Sequence, residues 1–459
     1  MAKLNSSTVK WLTCFLIPLT IFCIPLSEVY TPHLRLFFSI TIFAILLVGF
    51  ELLPLLVASI FIPTAYLLSG LVDSTVAFSV FTGDTVWMIL GLLILAEVLD
   101  KIGLLERISL FCISKCGGSY TGVIYGILFT GFVLNIATFG NAYIIMVMVS
   151  YGVVKTLDLP IGKESALIGF AGFMGGMSWS CTFYDAVRNS LVETNIRTIM
   201  PDFTIQWYDM AVYNGLLGLF LLVLVAFLIK LFPCEHEVLK RGKEYFTNRY
   251  KDLGAMSKDQ RIVSVVVSLM MIYLFTSSLT GLKPAYAFMT LPYLLFLPGI
   301  NVANEGTVKK VNFSMILFVA GCLTIGNVGN ALGISKLITT TVTPMLAGHH
   351  HVVALGALNI VGVIANLFMT PYALAAALSA PFAQIAMELG MNPLSGVMPL
   401  ILAGDQVIFP HESAPSVFLY SVGIIKMKDF IVIGTIKTVA TFLFLLIGLY
   451  PFWKFTGLL

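Results

Sequence analysis

The residue types that can bind an ion or an anion lie in short polar interruptions of long apolar runs. The clearest interruption contains Thr138, Gly140 and Asn141, between an apolar run that ends at Ala137 and another that begins at Ala142. A side-chain amide and the free N–H groups at a helix start can both donate to an anion. Free carbonyl groups beside Ala137, Gly140 and Asn141 can instead hold a sodium ion. The simpler alternative is an Asn that only caps the second helix.

A matching interruption occurs in the second half of the chain. Gly103 pairs with Gly333 at an offset of 230 residues, and this offset carries the first interruption to Thr370, Pro371 and Tyr372. Matching breaks in two hydrophobic halves indicate the binding site of a secondary transporter. Backbone leaves the helix at membrane depth only where protein or a water-filled cavity satisfies its polar groups. We therefore predict a re-entrant hairpin tip at each interruption, rather than a kink in an ordinary transmembrane helix.

Ionisable side chains lie in two further interruptions. Asp185 and Arg188 follow one apolar run, and Asp405, His411 and Glu412 follow another. Charged groups inside membrane segments are costly and indicate a functional site. Arg188 can hold a carboxylate with two parallel hydrogen bonds, or it can form an ion pair with Asp185. The second group can exchange protons, with the histidine suited to neutral pH, or it can satisfy unwound backbone.

The composition is typical of a polytopic α-helical membrane protein. The chain is 58% hydrophobic and 11% charged over 459 residues. Many of its apolar runs approach the ~20 residues that a helix needs to cross a bilayer. The formal net charge of +3 does not indicate nucleic-acid binding, because the basic residues follow a topological pattern relative to the membrane. The expected partners are therefore a small anionic substrate and the lipid bilayer, without nucleic acid.

Basic residues predict the orientation of the chain in the membrane. The hydrophilic connection at 233–261 holds seven of the 26 lysine and arginine residues. The positive-inside rule places this connection and the N-terminus in the cytoplasm. An odd number of spans between the two halves then makes them inverted repeats. We expect a multi-pass protein of the cytoplasmic membrane.

The predicted fold class is an all-α polytopic membrane protein with about 11 spans and two inverted-topology repeats. Each repeat contains a re-entrant hairpin and a broken transmembrane helix, and we expect a homodimer. The predicted units are N-terminal scaffold and dimerisation spans at 1–83, a first repeat at 84–232 with hairpin 123–154 and broken helix 166–195, a cytoplasmic loop at 233–261, scaffold spans at 262–312, and a second repeat at 313–459 with hairpin 352–386 and broken helix 395–425.

Local strings in this order resemble the divalent anion:sodium symporter family over about residues 36–450. Residues 87–91 (Trp-Met-Ile-Leu-Gly) and 101–104 (Lys-Ile-Gly-Leu) are similar to the helix before that family's first hairpin. Residues 392–394 and 409–415 are similar to its second broken helix. The resemblance implies transport of dicarboxylates, citrate or sulfate. It also implies that Ser-Asn-Thr at each hairpin tip contacts the substrate carboxylates while nearby carbonyls bind sodium.

The hairpin tips of this chain depart from that family pattern. The first tip keeps only Asn141, and the second has Thr370, Pro371 and Tyr372 in place of Ser-Asn-Thr. The broken-helix motif Thr-Pro-Pro is replaced by a sequence that begins at Ser413. Proline fixes its own φ and lacks an N–H donor, which makes the second tip less suited to sodium. We expect at most one sodium site, so sodium symport, proton coupling and anion exchange all remain open.

We expect a secondary active transporter of small organic anions, with di- or tricarboxylates preferred, working by alternating access as a symporter or an exchanger. The alternative is a cation/proton antiporter on a related inverted-repeat scaffold. The chain has no nucleotide-binding loop or nucleophile elbow, so we expect neither an enzyme nor a cofactor other than sodium. The substrate candidates are Thr138, Gly140, Asn141, Ala142, Asp185, Arg188, Thr370, Pro371, Tyr372 and Ser413, and the coupling or proton candidates are Asp405, His411 and Glu412.

Overall fold

The computed structural model of the protein is helical throughout the part of the chain that it describes. The described residues are 6–28, 30–50, 52–115, 119–234, 242–283, 285–333, 343–346, 348–367 and 369–459. Within these ranges the backbone forms helices and turns and no strand. The predicted all-α class is therefore confirmed.

The interruptions of the sequence fall in two helix pairs and two broken helices. The first helix pair is Tyr120–Thr138 with Tyr143–Thr156, and the first broken helix is Lys163–Met177, the 3-10 turn Trp179–Cys181 and Ala186–Arg197. The second helix pair is His351–Asn366 with Pro371–Glu388, and the second broken helix is Pro393–Asp405, the 3-10 turn Pro410–Glu412 and Ala414–Ser421.

The remaining helices surround these groups. The N-terminal ones are Ser6–Phe22, Pro32–Gly49, Leu55–Leu68, Ser74–Ala77, Ser79–Thr82 (3-10), Asp84–Lys101 and Leu104–Lys115. Between the halves lie Asp209–Leu231, Gly242–Asp252, Lys258–Thr280, Ala285–Thr290, Leu291–Phe296 (3-10), Glu305–Lys310, Phe313–Ala331 and Thr343–Leu346. The last helix, Met427–Phe444, continues through the π-helical turn Leu445–Leu449 into Tyr450–Thr456.

Several helical stretches are suited to a bilayer. Those of the described chain with the length and apolar composition to cross it are Tyr120–Thr138, Lys163–Arg197, Asp209–Leu231 and Met427–Thr456. Shorter apolar helices, such as Pro32–Val48 and His351–Asn366, accompany them. These stretches support a multi-pass membrane protein. The total of about 11 spans, the re-entry of the helix pairs and the inversion of the repeats stay predictions.

Each interruption in the sequence coincides with a helix end. Phe139 and Gly140, which separate the first helix pair, adopt left-handed φ values of 53° and 92°. The Gly140 N–H donates to the Asn135 carbonyl at 2.9 Å, which closes the end of the helix. The second helix pair is separated differently, because Thr370 caps the next helix by accepting from the Ala373 N–H at 3.3 Å.

The two halves of the protein share one packing scheme. In each half, both members of the helix pair pack on the first segment of the broken helix. The second segment, Ala186–Arg197 in the first half, packs on Pro371–Glu388 of the other half. Likewise, Ala414–Ser421 packs on Tyr143–Thr156. The halves therefore interlock through the parts of the broken helices that follow each break.

Glycine residues allow the close approach of the helix pairs to the broken helices. A Cβ atom at Gly131 would overlap the Gly175 carbonyl, and one at Gly176 would lie 2.5 Å from the Tyr143 Cα. In the second half, a Cβ atom at Gly396 would overlap the Phe382 carbonyl. Backbone is thus in direct contact with backbone along these glycine seams.

The seams predict a specific difference between two alanine variants of the first helix pair. Gly131→Ala should destabilise the protein, because overpacking a dense interior costs about 1–3 kcal/mol. Gly152→Ala should match or exceed the wild type, since a Cβ atom at Gly152 meets nothing within 4 Å and alanine favours the helix. The melting temperatures of the purified variants in detergent provide the comparison. Equal melting temperatures would contradict the seam.

Candidate functional site

The first interruption lies directly against the first break, which is residues 182–185 of the first broken helix. The Phe139 carbonyl accepts from the Ala186 N–H at 3.0 Å. A Cβ atom at Gly140 would lie 2.7 Å from the Asp185 Cα, so only glycine fits this contact. Asn141 follows and is half-buried; its main-chain N–H donates to the Thr138 carbonyl at 3.3 Å, whereas its side-chain amide makes no hydrogen bond to the described residues. Its side-chain donor is therefore available one residue after the contact between Gly140 and Asp185.

Arg188 is buried in the first turn of the helix Ala186–Arg197, which follows the break, and only some of its donors have partners. Its guanidinium donates to the Ser180 carbonyl, donates to the Ser180 hydroxyl at 3.2 Å and lies 3.8 Å from the Asp185 carboxylate. The predicted ion pair is thus formed. The Arg188 Nε and the whole Asn189 amide are buried and have no hydrogen-bond partner among the described residues. These groups provide donors that nothing in the described chain uses.

Tyr372 connects the second interruption to the first break. Pro371 packs on the end of the second broken helix's first segment, where a Cβ atom at Gly404 would lie 3.2 Å from the Pro371 Cβ. Tyr372 is close enough to Asp185 and Arg188 for electrostatic interaction. The phenol is half-buried and has a hydroxyl that can donate to an anion. The structure thus brings together candidates that lie almost 200 residues apart in the sequence.

Three other substrate candidates have structural contacts. The Thr138 hydroxyl donates to the Leu134 carbonyl at 2.7 Å within its own helix. Ala142 is fully buried behind the first interruption. The Ser413 hydroxyl lies 2.6 Å from the Ser416 hydroxyl and accepts from the Ser416 N–H, which caps the following helix. The three positions stabilise the helix ends that border the breaks.

Asp405 forms an ion pair with a lysine that the sequence analysis did not select. Lys437, on the last helix, is 1% exposed, and its ammonium lies 2.8 Å from the Asp405 carboxylate. It also donates to the Asp405 main-chain carbonyl. The other carboxylate oxygen accepts from the Ser178 hydroxyl at 3.1 Å, which joins the two halves. A single lysine inside the final apolar run is the signal that identifies this residue in the sequence.

Glu412 satisfies the unwound backbone of the second break, which is residues 406–409 of the second broken helix. One carboxylate oxygen accepts from the Ile408 N–H at 3.0 Å and from the Phe409 N–H at 2.6 Å. The other accepts from the Asn366 amide at 3.1 Å, and the side chain is 2% exposed. The backbone of His411 lies in the same turn, but its side chain is outside the described part of the structure.

A small polar pocket of about 10 Å³, room for about one water molecule, lies beside the first break. Tyr184, which immediately precedes the ionic groups of the break, lines one wall. Glu193 and Arg197 form an ion pair in the lining, and Lys283 pairs with Asp84 at 2.9 Å. Charged groups of both signs therefore lie next to the buried donors.

The fold and the buried charges at its breaks define a helical membrane transporter, because irregular backbone inside a membrane protein is typical of transport sites. The sequence profile of the family described as sodium:sulfate symporter transmembrane region matches residues 5–459. The chain belongs to this family. The match confirms the resemblance to divalent anion:sodium symporters and the expectation of a transporter rather than an enzyme.

Relatives and solved structures agree with this assignment. The chain is 22% identical to the putative malate transporter YflS of Bacillus subtilis (strain 168), over 68% of each chain. It is 22% identical to the L-tartrate/succinate antiporter of Escherichia coli (strain UTI89 / UPEC), over 78% of this chain and 76% of the antiporter. The YdaH transporter of Alcanivorax borkumensis matches with a TM-score of 0.57 at 16% identity, covering 86% of this chain and 89% of that one. At this identity, the structural match concerns the fold alone.

The contacts of Glu412 predict that the protein tolerates the loss of its charge but not the loss of its hydrogen bonds. In Glu412→Gln, one oxygen still accepts from both N–H groups, and Asn366 can turn its unpartnered Oδ1 toward the new amide. We expect wild-type stability and transport. Glu412→Ala leaves buried donors without partners and should cost about 2–4 kcal/mol. Melting temperature and uptake measure the two effects, and loss of uptake in Glu412→Gln alone would instead indicate an obligatory proton carrier.

Proposed function

We propose that this protein is a secondary active transporter that binds a small carboxylate anion between the first interruption and the break of the first broken helix. The observation that carries the proposal is the unpartnered Arg188 Nε beside the unpartnered Asn189 amide. A buried polar group without a partner costs about 1–3 kcal/mol. Carboxylate oxygens would satisfy these donors, together with the amide of Asn141 and the hydroxyl of Tyr372.

We propose the substrate class from the names of the relatives and from the number of donors at the site. The names of the two relatives mention malate, tartrate and succinate, all of which are four-carbon dicarboxylates. One carboxylate would take the guanidinium and the second the donors of Asn141 and Tyr372. We propose four-carbon dicarboxylates as the first candidates within the di- and tricarboxylates.

The proposed mechanism is alternating access. The helix pairs and broken helices carry the site, and their movement relative to the other helices would open it to one side of the membrane and then to the other. Either cation-coupled symport or anion exchange is compatible with this site. A sodium ion would bind to main-chain carbonyls near Ala137, Gly140 and Asn141, where the helix end leaves backbone groups free. A homodimer with a cytoplasmic N-terminus is the proposed arrangement in the membrane.

The cation/proton antiporter alternative receives less support. It relies on Asp405 and Glu412 as carriers of protons or ions. Asp405 is paired with the Lys437 ammonium, and Glu412 accepts hydrogen bonds from Asn366 and from two main-chain N–H groups. Both carboxylates are therefore occupied by partners that hold the backbone or the last helix in place. Family membership adds to this preference for anion transport.

The proposal predicts that Arg188→Lys abolishes most uptake in proteoliposomes. An ammonium cannot reproduce the planar donor fork, so we expect uptake to fall by at least about tenfold. Labelled succinate, malate, tartrate, citrate and sulfate are offered separately, each with sodium or choline. Arg249→Lys, at an exposed position of Gly242–Asp252, is the matched control and should transport normally.

A second variant separates binding from folding. Asn141→Ala removes a half-buried amide that has no described partner, so its melting temperature should equal that of the wild type while uptake falls sharply. Wild-type kinetics in both Arg188→Lys and Asn141→Ala would remove the first break from the site. Failure of the wild type to transport any of the carboxylates would overturn the proposed substrate class.

A further inference from the structure

The ammonium group of Lys437 occupies a position where a free cation would be stable. It lies 2.8 Å from the Asp405 carboxylate, donates to the Asp405 carbonyl and sits 5.8 Å from the centre of the Phe173 ring. Asp405 is the last residue of the helix segment Pro393–Asp405. The ligands of the ammonium are therefore a carboxylate, a main-chain oxygen at a helix end and an aromatic face, all of which attract cations.

Electrostatics explains why a cation is required there. The carboxyl end of a helix has carbonyl groups without intrahelical partners and carries about half a negative charge. The Asp405 carboxylate adds a full negative charge at 5% exposure. Secondary transporters with broken helices bind sodium at such helix ends and at the unwound carbonyls next to them. Without a cation, this break would contain an uncompensated buried charge.

Close packing of the last helix places the Lys437 ammonium at the second break. A Cβ atom at Gly434 would lie 2.5 Å from the Val407 carbonyl, so the last helix touches the unwound backbone directly. Lys437 follows one turn later and is therefore on the same face. The Gln406 amide also donates to the Thr438 carbonyl at 3.5 Å. The lysine is thus held in register with the break.

We propose that Lys437 is a tethered cation that replaces a coupling ion at the second break, so that this half of the protein works without binding sodium. The inference rests on the proposed function, because it assigns the coupling of the same transporter. A bound sodium ion can leave during the cycle, whereas the ammonium is covalently attached to the last helix. The charge at the second break is then constant, and sodium dependence, if present, arises from the first interruption alone.

The proposal predicts that removal of the lysine creates a sodium site. In Lys437→Ala, the carboxylate and carbonyl of Asp405 lose their cation, and the truncated side chain leaves room for an ion. Sodium chloride should raise the melting temperature of this variant in detergent by several degrees over choline chloride at equal ionic strength, because a ligand that binds only the folded state stabilises it. The wild type should show a much smaller shift.

Two further variants act as controls. Lys454→Ala removes an exposed lysine beyond the same helix and should respond as the wild type does. The double variant Asp405→Asn with Lys437→Ala removes both charges and should lose the sodium response, since its site has no carboxylate. A sodium shift in Lys437→Ala that is no larger than that of the wild type or the double variant overturns the proposal.

Poor folding of the single variant does not leave the proposal open. Lys437→Gln keeps most of the side-chain stem and serves as the second neutral variant. If both single variants are lost from membranes in sodium-containing medium while the double variant is recovered, sodium does not replace the ammonium and the proposal is overturned. Recovery of either single variant in sodium but not in choline supports it.

Uptake measurements then separate this inference from the proposed function. The ratio of succinate uptake in sodium to uptake in choline should rise in Lys437→Ala relative to the wild type. If the wild type carries no carboxylate but the sodium-dependent melting shift of Lys437→Ala is present, the proposed substrate is wrong and the tethered cation stands. If the wild type carries succinate and the variant shows neither sodium effect, the proposed function stands and the tethered cation is wrong.

Discussion

The structure depends on one constraint: backbone N–H and C=O groups that a helix break frees inside a bilayer must find hydrogen-bond partners within the protein. Each helix break frees N–H and C=O groups that water cannot reach at membrane depth. The chain satisfies them with side chains from the breaks themselves or from neighbouring helices. Glu412 accepts from two such N–H groups, while Arg188 and Lys437 donate to carbonyls of the two broken helices. The charged residues therefore hold the irregular backbone in place before they take part in transport.

Charges at the two breaks occur in pairs of opposite sign. Arg188 lies beside Asp185, and Lys437 lies beside Asp405, each pair at a few per cent exposure. Pairing reduces the cost of burying these groups, although the desolvation of each ion remains unfavourable. The two ion pairs differ in whether hydrogen-bond donors remain without partners. The first retains unpartnered donors beside a half-buried tyrosine, whereas the ammonium of the second is occupied by one residue's carboxylate and carbonyl.

The sequence identifies the breaks but not the contacts between them. Thr138 to Ala142 and Thr370 to Tyr372 are visible because polar or cyclic residues interrupt an apolar run, and local chemistry determines where a helix ends. The all-α class is visible for the same reason. The pairing of Asp405 with Lys437 depends instead on how the last helix packs, which periodicity does not encode. The sequence also does not predict that the Arg188 Nε lacks a partner, because this depends on whether a neighbouring helix places an acceptor near it.

The glycine seams have a consequence for how the protein can move. Where backbone touches backbone, as between Gly131 and Gly175, no side chain can change rotamer to let one helix slide past the other. Sliding motions between packed helices require such small side-chain adjustments. Each helix pair therefore travels with its broken helix as a rigid body. We therefore expect the displacement to occur where these interlocked helices meet the surrounding ones.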